Sequence, residues 1–122
     1  MIVQAIRGAT TCKGNSSVSI EEAVKELISE LVKHNALESN QVISVIFSVT
    51  NDLNACFPAS IARQQFGWEK VALLDCQQMF VQGDLSNCIR MLAHVYLPKE
   101  QMPQHIYLGK ASMLRPDRSI LV

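Results

Sequence analysis

Apolar and polar positions along this chain change period several times, and each change marks an element. Residues 2–8, IVQAIRG, are short, rich in β-branched positions and end on glycine, which predicts a strand. TTCKGNSS at 10–17 reads as a loop. A helical period follows. Ile20, Ala23, Val24, Leu27, Ile28, Leu31 and Val32 share one face, and Glu21, Glu22, Lys25, Glu26, Glu30 and Lys33 take the other. Ser19 and Glu22 have the spacing of a capping box, and Lys33 and His34 suit the negative pole of the helix end. QVISVIFSVT at 41–50 is almost unbroken and β-branched, the pattern of a central strand covered on both faces.

A loop is predicted at 51–57, then a short helix that opens at Pro58 and stops at Gly67. WEKVALLD at 68–75 reads as a third strand. Asp84 then suits the N-cap of a second long helix, with Leu85, Cys88, Ile89, Leu92, Ala93 and Tyr96 inward and Pro98 as its stop. Residues 98–104 form a loop, 105–114 alternate loosely as a last strand, and the Arg-Pro step begins a tail at 115–122. The order β, α, β, short α, β, α, β predicts one mixed α/β domain over 1–122, with helices on one face of a sheet.

One stretch breaks this pattern. In LLDCQQMFV, residues 73–81, apolar residues flank Asp75, Cys76, Gln77 and Gln78. Either the chain surfaces there or it lines a site.

Composition narrows the classes. The 122 residues are 48% apolar and suit a globular domain with an ordinary core. Eleven basic and eleven acidic residues cancel, so nothing favours nucleic acid or an anionic membrane as a partner. No apolar run approaches the roughly 20 residues of a spanning helix, and the N-terminus does not read as a signal peptide. Cys12, Cys56, Cys76 and Cys88 form no C-x-x-C pair, which argues against metal, redox or disulfide use and for a reduced, cytoplasmic protein.

Familiar catalytic signatures are absent: no phosphate loop, no nucleophile elbow, no H-E-x-x-H. His34, His94 and His105 are far apart; His34 reads as a helix-end residue and His94 as an exposed helix position. The arginines carry more. Arg7 ends a strand, Arg63 lies in the short helix, and Arg115 follows the last strand. Arg90 stands one residue off the apolar face of the second helix, where a charge needs a partner. That partner is either a structural carboxylate or an anionic ligand matched to guanidinium geometry.

Several segments together then point to a family. IRGATT at 6–11, SVTNDLNACFPASIAR at 48–63, GW at 67–68, QQMFVQGDLSNCIR at 77–90 and IYLGKASMLRPD at 106–117 resemble the small monofunctional chorismate mutases of the Bacillus type. The resemblance runs from Arg7 to Asp117. It implies a homotrimer whose sheets form a pseudo-barrel, with active sites at the subunit interfaces and no cofactor or metal. It implies the rearrangement of chorismate to prephenate, a shikimate-pathway step toward phenylalanine and tyrosine. That reaction is pericyclic, with no nucleophile and no proton transfer. Catalysis must then come from holding a reactive conformer and from fixed charge beside the ether oxygen.

The resemblance also assigns residues. Arg90 matches the arginine that meets the ether oxygen and a carboxylate. Arg7 and Tyr107 match carboxylate-binding positions, and Phe57 an apolar wall. Arg63 matches a basic residue at the mouth of the neighbouring subunit's site. Leu114 and Arg115 match the segment that closes over the ligand, and Leu74 joins the substrate-binding set. On their own, Phe57 and Leu114 read equally as core residues and Tyr107 as an ordinary strand aromatic.

The chain departs from the family pattern at three places. Gln78 stands where the family has the glutamate that accepts from the ring hydroxyl. Asp75 replaces a cysteine, and Ser60 a common lysine. Two readings follow. Asp75 supplies the missing carboxylate, provided the chain bends between 75 and 78, which face opposite sides of an ideal strand; Asp75→Asn then slows turnover more than Gln78→Ala. Otherwise the site binds but works slowly. Rival functions are a trimeric binding protein for chorismate or an aromatic acid, an imine deaminase of a related trimeric fold, and a structural subunit.

Overall fold

A computed structural model describes residues 1–114. Arg115 and the rest of the 115–122 tail lie outside the described residues. The order is β1 (Ile2–Thr11), α1 (Ser17–His34), β2 (Val42–Val49), α2 (Pro58–Ala62), β3 (Ala72–Gln77), β4 (Cys88–Leu97) and β5 (Ile106–Tyr107). The strands form one mixed sheet in the order β3-β2-β4-β1-β5. β4 runs antiparallel to β1 and β2, while β3 joins β2 and β5 joins β1 in parallel. The fold is the mixed α and β architecture that the pattern predicts.

The main core lies between α1, α2 and one sheet face. Ile20, Val24, Leu27, Ile28 and Leu31 of α1 are buried there with Ile6, Val45 and Phe47. Ile89, Met91, Ala93, Val95 and Leu97 of β4 complete it, every second residue of the strand. α1 begins two residues before Ser19. Its cap is Ser16, whose Oγ accepts the Ser19 N–H at 3.1 Å. Ser19 therefore stands within the first turn and not at the cap.

The predicted second helix is a strand. Cys88, Leu92 and Tyr96 satisfy a helical spacing, but Ile89, Met91, Ala93, Val95 and Leu97 satisfy a two-residue spacing in the same ten positions. A central strand apolar on both sides carries both periods at once, and pairing with β1 and β2 along its length decides for the sheet. His94 is accordingly a strand residue, half-buried, with Nδ1 3.1 Å from Ser44 Oγ. The third strand starts later than predicted, at Ala72, after a turn at the buried Trp68. The last strand is only two residues long, and Gly109–Met113 coil into a 3-10 turn.

The helices cover only one side of the sheet. On the other side of β2, Ser44, Ile46 and Ser48 are half-buried, so the expectation of a strand covered on both faces does not hold within one chain. Val3, Leu74 and Tyr96 are exposed on that side. Among the described residues no helix is long and apolar enough to cross a membrane.

α2 ends at Ala62, before the predicted stop at Gly67; Gly67 has φ +82, and a Cβ there would overlap Ser39 Cβ. Gly67→Ala is expected to destabilise the fold by about 1–3 kcal/mol, through a left-handed backbone and a contact that cannot be relieved by a rotamer change. Urea unfolding should show a lower midpoint with an unchanged slope.

Candidate active site

Arg90 belongs to the middle strand of the sheet, paired with Ala9 on β1 and Ser48 on β2. Its neighbours Ile89 and Met91 point into the core, so alternation sends Arg90 to the face without helices. Both cross-strand partners are small, which leaves the guanidinium room above the sheet. Arg7 lies two residues along β1 from Ala9 on the same face, and Tyr107 of β5 pairs beside Ala9. Register alone thus gathers Arg7, Arg90 and Tyr107, although they are 17 to 100 positions apart in sequence.

The loop between β3 and β4 completes this group. Gln78 is the first residue past β3, and its N–H still reaches Val49 O at 2.8 Å. The chain then turns at Val81–Asp84, closed by Asp84 N–H to Val81 O at 3.1 Å. Gly83 has φ +83, the conformation that the third position of a type II turn requires. The turn returns Asp84 to the sheet. Its Oδ2 accepts from Gln78 Nε2 at 2.8 Å and from Arg90 Nη2 at 3.1 Å, and its Oδ1 accepts from Leu85 N–H at 2.8 Å. The side chains of Arg90 and Asp84 are 26% and 23% exposed, so this ion pair is partly shielded from water. Asp84 is not a helix cap; it is the structural carboxylate that Arg90 needed.

Three buried side-chain polar atoms have no hydrogen-bond partner among the described residues: Gln78 Oε1, Arg90 Nε and Tyr107 Oη. All three belong to this group. A buried polar atom without a partner costs on the order of 1–3 kcal/mol, so three in one place point to a polar ligand that meets them. Tyr107 is fully buried with Ala9 and Ala111, and Leu85 and Leu114 pack against them. Leu114 thus stands at the edge of the group. Arg7 is exposed; its backbone N–H donates to His105 Nδ1 at 2.9 Å.

A model of the type I chorismate mutase family matches residues 3–118. The chain belongs to that family. It is 36% identical to the chorismate mutase AroH of Bacillus subtilis over 98% of this chain and 95% of that one. It is 38% identical to the AroH chorismate mutase of Thermus thermophilus over 95% of this chain and 96% of that one. A solved chorismate mutase from Clostridium thermocellum superposes with a TM-score of 0.85 at 40% identity, covering 90% of this chain and 98% of that one. The protein is therefore a chorismate mutase, an isomerase of aromatic amino acid biosynthesis.

The remaining residues that the family resemblance singled out lie apart from Arg90 in this chorismate mutase. Phe57, 69% exposed, precedes α2 and lines a groove of about 590 Å³ with Cys56, Ser60, Asp75 and Cys76. Such exposure removes the reading of Phe57 as a core residue. Arg63 caps the other end of α2 and is exposed. Leu74, 56% exposed, is on the open face of the edge strand β3. One group, Arg7–Gln78–Asp84–Arg90–Tyr107, thus forms around Arg90, while Phe57 and Arg63 flank α2 and Leu74 lies on β3.

Asp75 is not brought to Arg90. It pairs with Phe47, which is fully buried on the helix side, so Asp75 points to that side too. Its Oδ1 accepts the Ala59 N–H at 3.0 Å, in the first turn of α2. Phe57 at the cap position offers no side-chain acceptor, and Asp75 fills that need from β3. Burial pushes the Asp75 carboxyl above its ordinary value of 3.8, against the pull of the Ala59 N–H and the Arg63 guanidinium. Among the cysteines, which are all free, burial lifts the Cys12 thiol to about 11 and raises that of Cys88, which Arg90 pulls the other way.

The residue beside Arg90 that pattern reading misses is Asp84. Its spacing from Arg90, six residues, looks like nothing in a helix; the turn at Gly83 makes the pair adjacent.

The Asp75 geometry has a pH signature. A carboxyl with a higher pKa folded than unfolded binds its proton more tightly in the fold. Ionisation therefore costs stability as pH rises from 3.8 through the folded value. Asp75→Asn keeps an acceptor for Ala59 N–H without the buried charge. Urea unfolding from about pH 3 to pH 7 should show the parent losing ground to Asp75→Asn as pH rises. Asp75→Ala, with the acceptor gone, should be about 1 kcal/mol less stable than Asp75→Asn at any pH in that range.

Proposed function

We propose that this chorismate mutase binds chorismate against Arg90, Gln78, Tyr107 and Arg7, and that electrostatic preorganisation accelerates its rearrangement to prephenate. The unpartnered buried atoms of Arg90, Gln78 and Tyr107 carry this reading, because they offer two donors and one acceptor to a dicarboxylate that bears a hydroxyl. Arg90 faces the ether oxygen, which gains negative charge as its bond breaks. Tyr107 and Arg7 hold carboxylate. Gln78 Oε1 accepts from the ring hydroxyl. The bound chair conformer reacts without proton transfer, so fixed dipoles in a shielded site are sufficient.

Phe57, Arg63 and Leu74 enter as the second half of the site, contributed by a neighbouring copy. Support comes from the sheet face left open by α1 and α2, where exposed Val3, Leu74 and Tyr96 await burial. A homotrimer with sheets facing inward meets both needs. Leu114 then borders the site. The four free thiols and balanced charge suit the cytoplasm.

Asp75 has a different part in this reading. It holds α2, and through α2 the Phe57 wall, and does not replace a glutamate at position 78. Gln78→Ala should therefore slow turnover more than Asp75→Asn; the opposite ranking would restore Asp75 to the site.

Two measurements test the proposal. Arg90→Ala should lower kcat/KM for chorismate by a hundredfold or more, about 3 kcal/mol of transition-state stabilisation, in a substrate-depletion assay. Near-parental turnover in that variant would remove Arg90 from the mechanism. Light scattering should return three times the 13.6 kDa chain mass; a monomer that is fully active would refute the shared site.

A further inference from the structure

The Gln78–Asp84–Arg90 cluster is an unusual arrangement for a site that must bind a dianion, because a carboxylate occupies part of its principal cation. Asp84 Oδ2 takes a hydrogen from each partner, at 2.8 Å from Gln78 Nε2 and 3.1 Å from Arg90 Nη2. A carboxylate only accepts, so Gln78 must present its NH2 to Asp84. That fixes the amide the other way round for everything else. Gln78 Oε1 turns away from Asp84, buried and without a partner among the described residues. Arg90 is fixed by the same contact. With Nη2 held by Asp84, its Nε is left as a buried donor without a partner.

Asp84 is itself held rigidly. Leu85 N–H occupies its Oδ1, its own N–H closes the turn to Val81 O, and Gly83 supplies the positive φ that the turn needs. The carboxylate is thus anchored by backbone on one side and anchors two site residues on the other. A negative charge at Arg90 comes from six residues upstream in the chain, where the family pattern would place it at position 78.

We propose that Asp84 is a positioning residue of this active site. It ties Arg90 to the Gln78 amide, so that Gln78 Oε1 and Arg90 Nε face the substrate, and it supplies the negative charge that a glutamine at position 78 lacks. The inference rests on the reading of Arg90 and Gln78 as chorismate-binding residues. It makes Gln78 and Asp84 a functional pair, in which neutral acceptor and charge are divided between two side chains.

The test is a double-mutant cycle on the full-length protein, with kcat and KM for chorismate measured for the parent, Asp84→Ala, Gln78→Glu and the double variant. Asp84→Ala should lower kcat about tenfold or more. KM should stay level or fall, because Arg90 then meets the substrate dianion without a competing charge; a merely structural loss would raise KM or lower the melting temperature. In the Gln78→Glu background the same Asp84→Ala change should cost little, since a carboxylate at position 78 can pair with Arg90 directly. Equal losses in both backgrounds, or an unchanged kcat in Asp84→Ala, would overturn the inference while leaving the mutase activity standing. A parent that does not turn over chorismate would overturn both. Should Asp84→Ala melt early, Asp84→Asn decides by the same criteria, because the amide keeps an acceptor for Leu85 N–H.

Discussion

A central strand hands its side chains alternately to two faces, and in this protein only one of those faces is covered by helices. β4 lies between β1 and β2, with Ile89, Met91, Ala93, Val95 and Leu97 sealed against α1 and α2. Arg90 falls between two of these, so the alternation that builds the core also fixes where the charge must go. A guanidinium on the core side would face a desolvation cost of several kcal/mol without a partner. On the open side it meets the partners that register brings: Ala9 and Ser48, small enough to leave space, then Arg7 and Tyr107 beyond. The chemistry is thus a consequence of strand phase. A slip of one residue in β4 would bury Arg90 and expose the core set.

One-sided coverage has a second consequence. The sheet face that carries Arg90 also carries exposed apolar side chains, and neither α1 nor α2 covers it. In the proposed homotrimer, burial by another copy answers that hydrophobic cost. Leu74 lies on the edge strand β3, two strands from Arg90 on the central β4, and Phe57 precedes α2. In that proposal, assembly and catalysis draw on the same face.

Much of this was legible in the sequence, and the parts that were not share a cause. α1, β1 and β2 were legible as elements, although β1 runs past the predicted Gly8 to Thr11, into what reads as a loop. β4 was not, because apolar residues on both of its faces satisfy two periods together; only the partner strands choose between them. The helix cap was misplaced by three residues because Ser16, Ser17 and Ser19 offer similar hydroxyls, and the backbone alone decides that Ser16 takes the extended cap conformation. The site residues Arg7, Arg90 and Tyr107 came from family resemblance, since nothing in their spacing shows that they share a face. Asp84 was read as a helix cap for the same reason that β4 was read as a helix. Once the helix is gone the capping role goes too, and a carboxylate next to a glycine with φ +83 becomes free to reach back to the sheet.

The polar run in residues 73–81 now divides cleanly at the end of β3. Asp75 is inside the strand, and strand phase sends it to the helix side, where its carboxylate completes the first turn of α2. Gln78 is past the strand, released from alternation, and leans toward Arg90 through Asp84. Two acidic residues therefore flank one glutamine, and the nearer in sequence is the more remote in function. Asp75 is three positions from Gln78, but the sheet itself stands between their side chains. Asp84 is six positions from Gln78, and a tight turn brings the two together. Proximity along the chain favours Asp75 as the substitute carboxylate; the geometry of a strand followed by a turn favours Asp84. The charge that position 78 lacks is then moved along the chain without leaving Arg90, so the arginine keeps a carboxylate partner and the glutamine is free to present its oxygen.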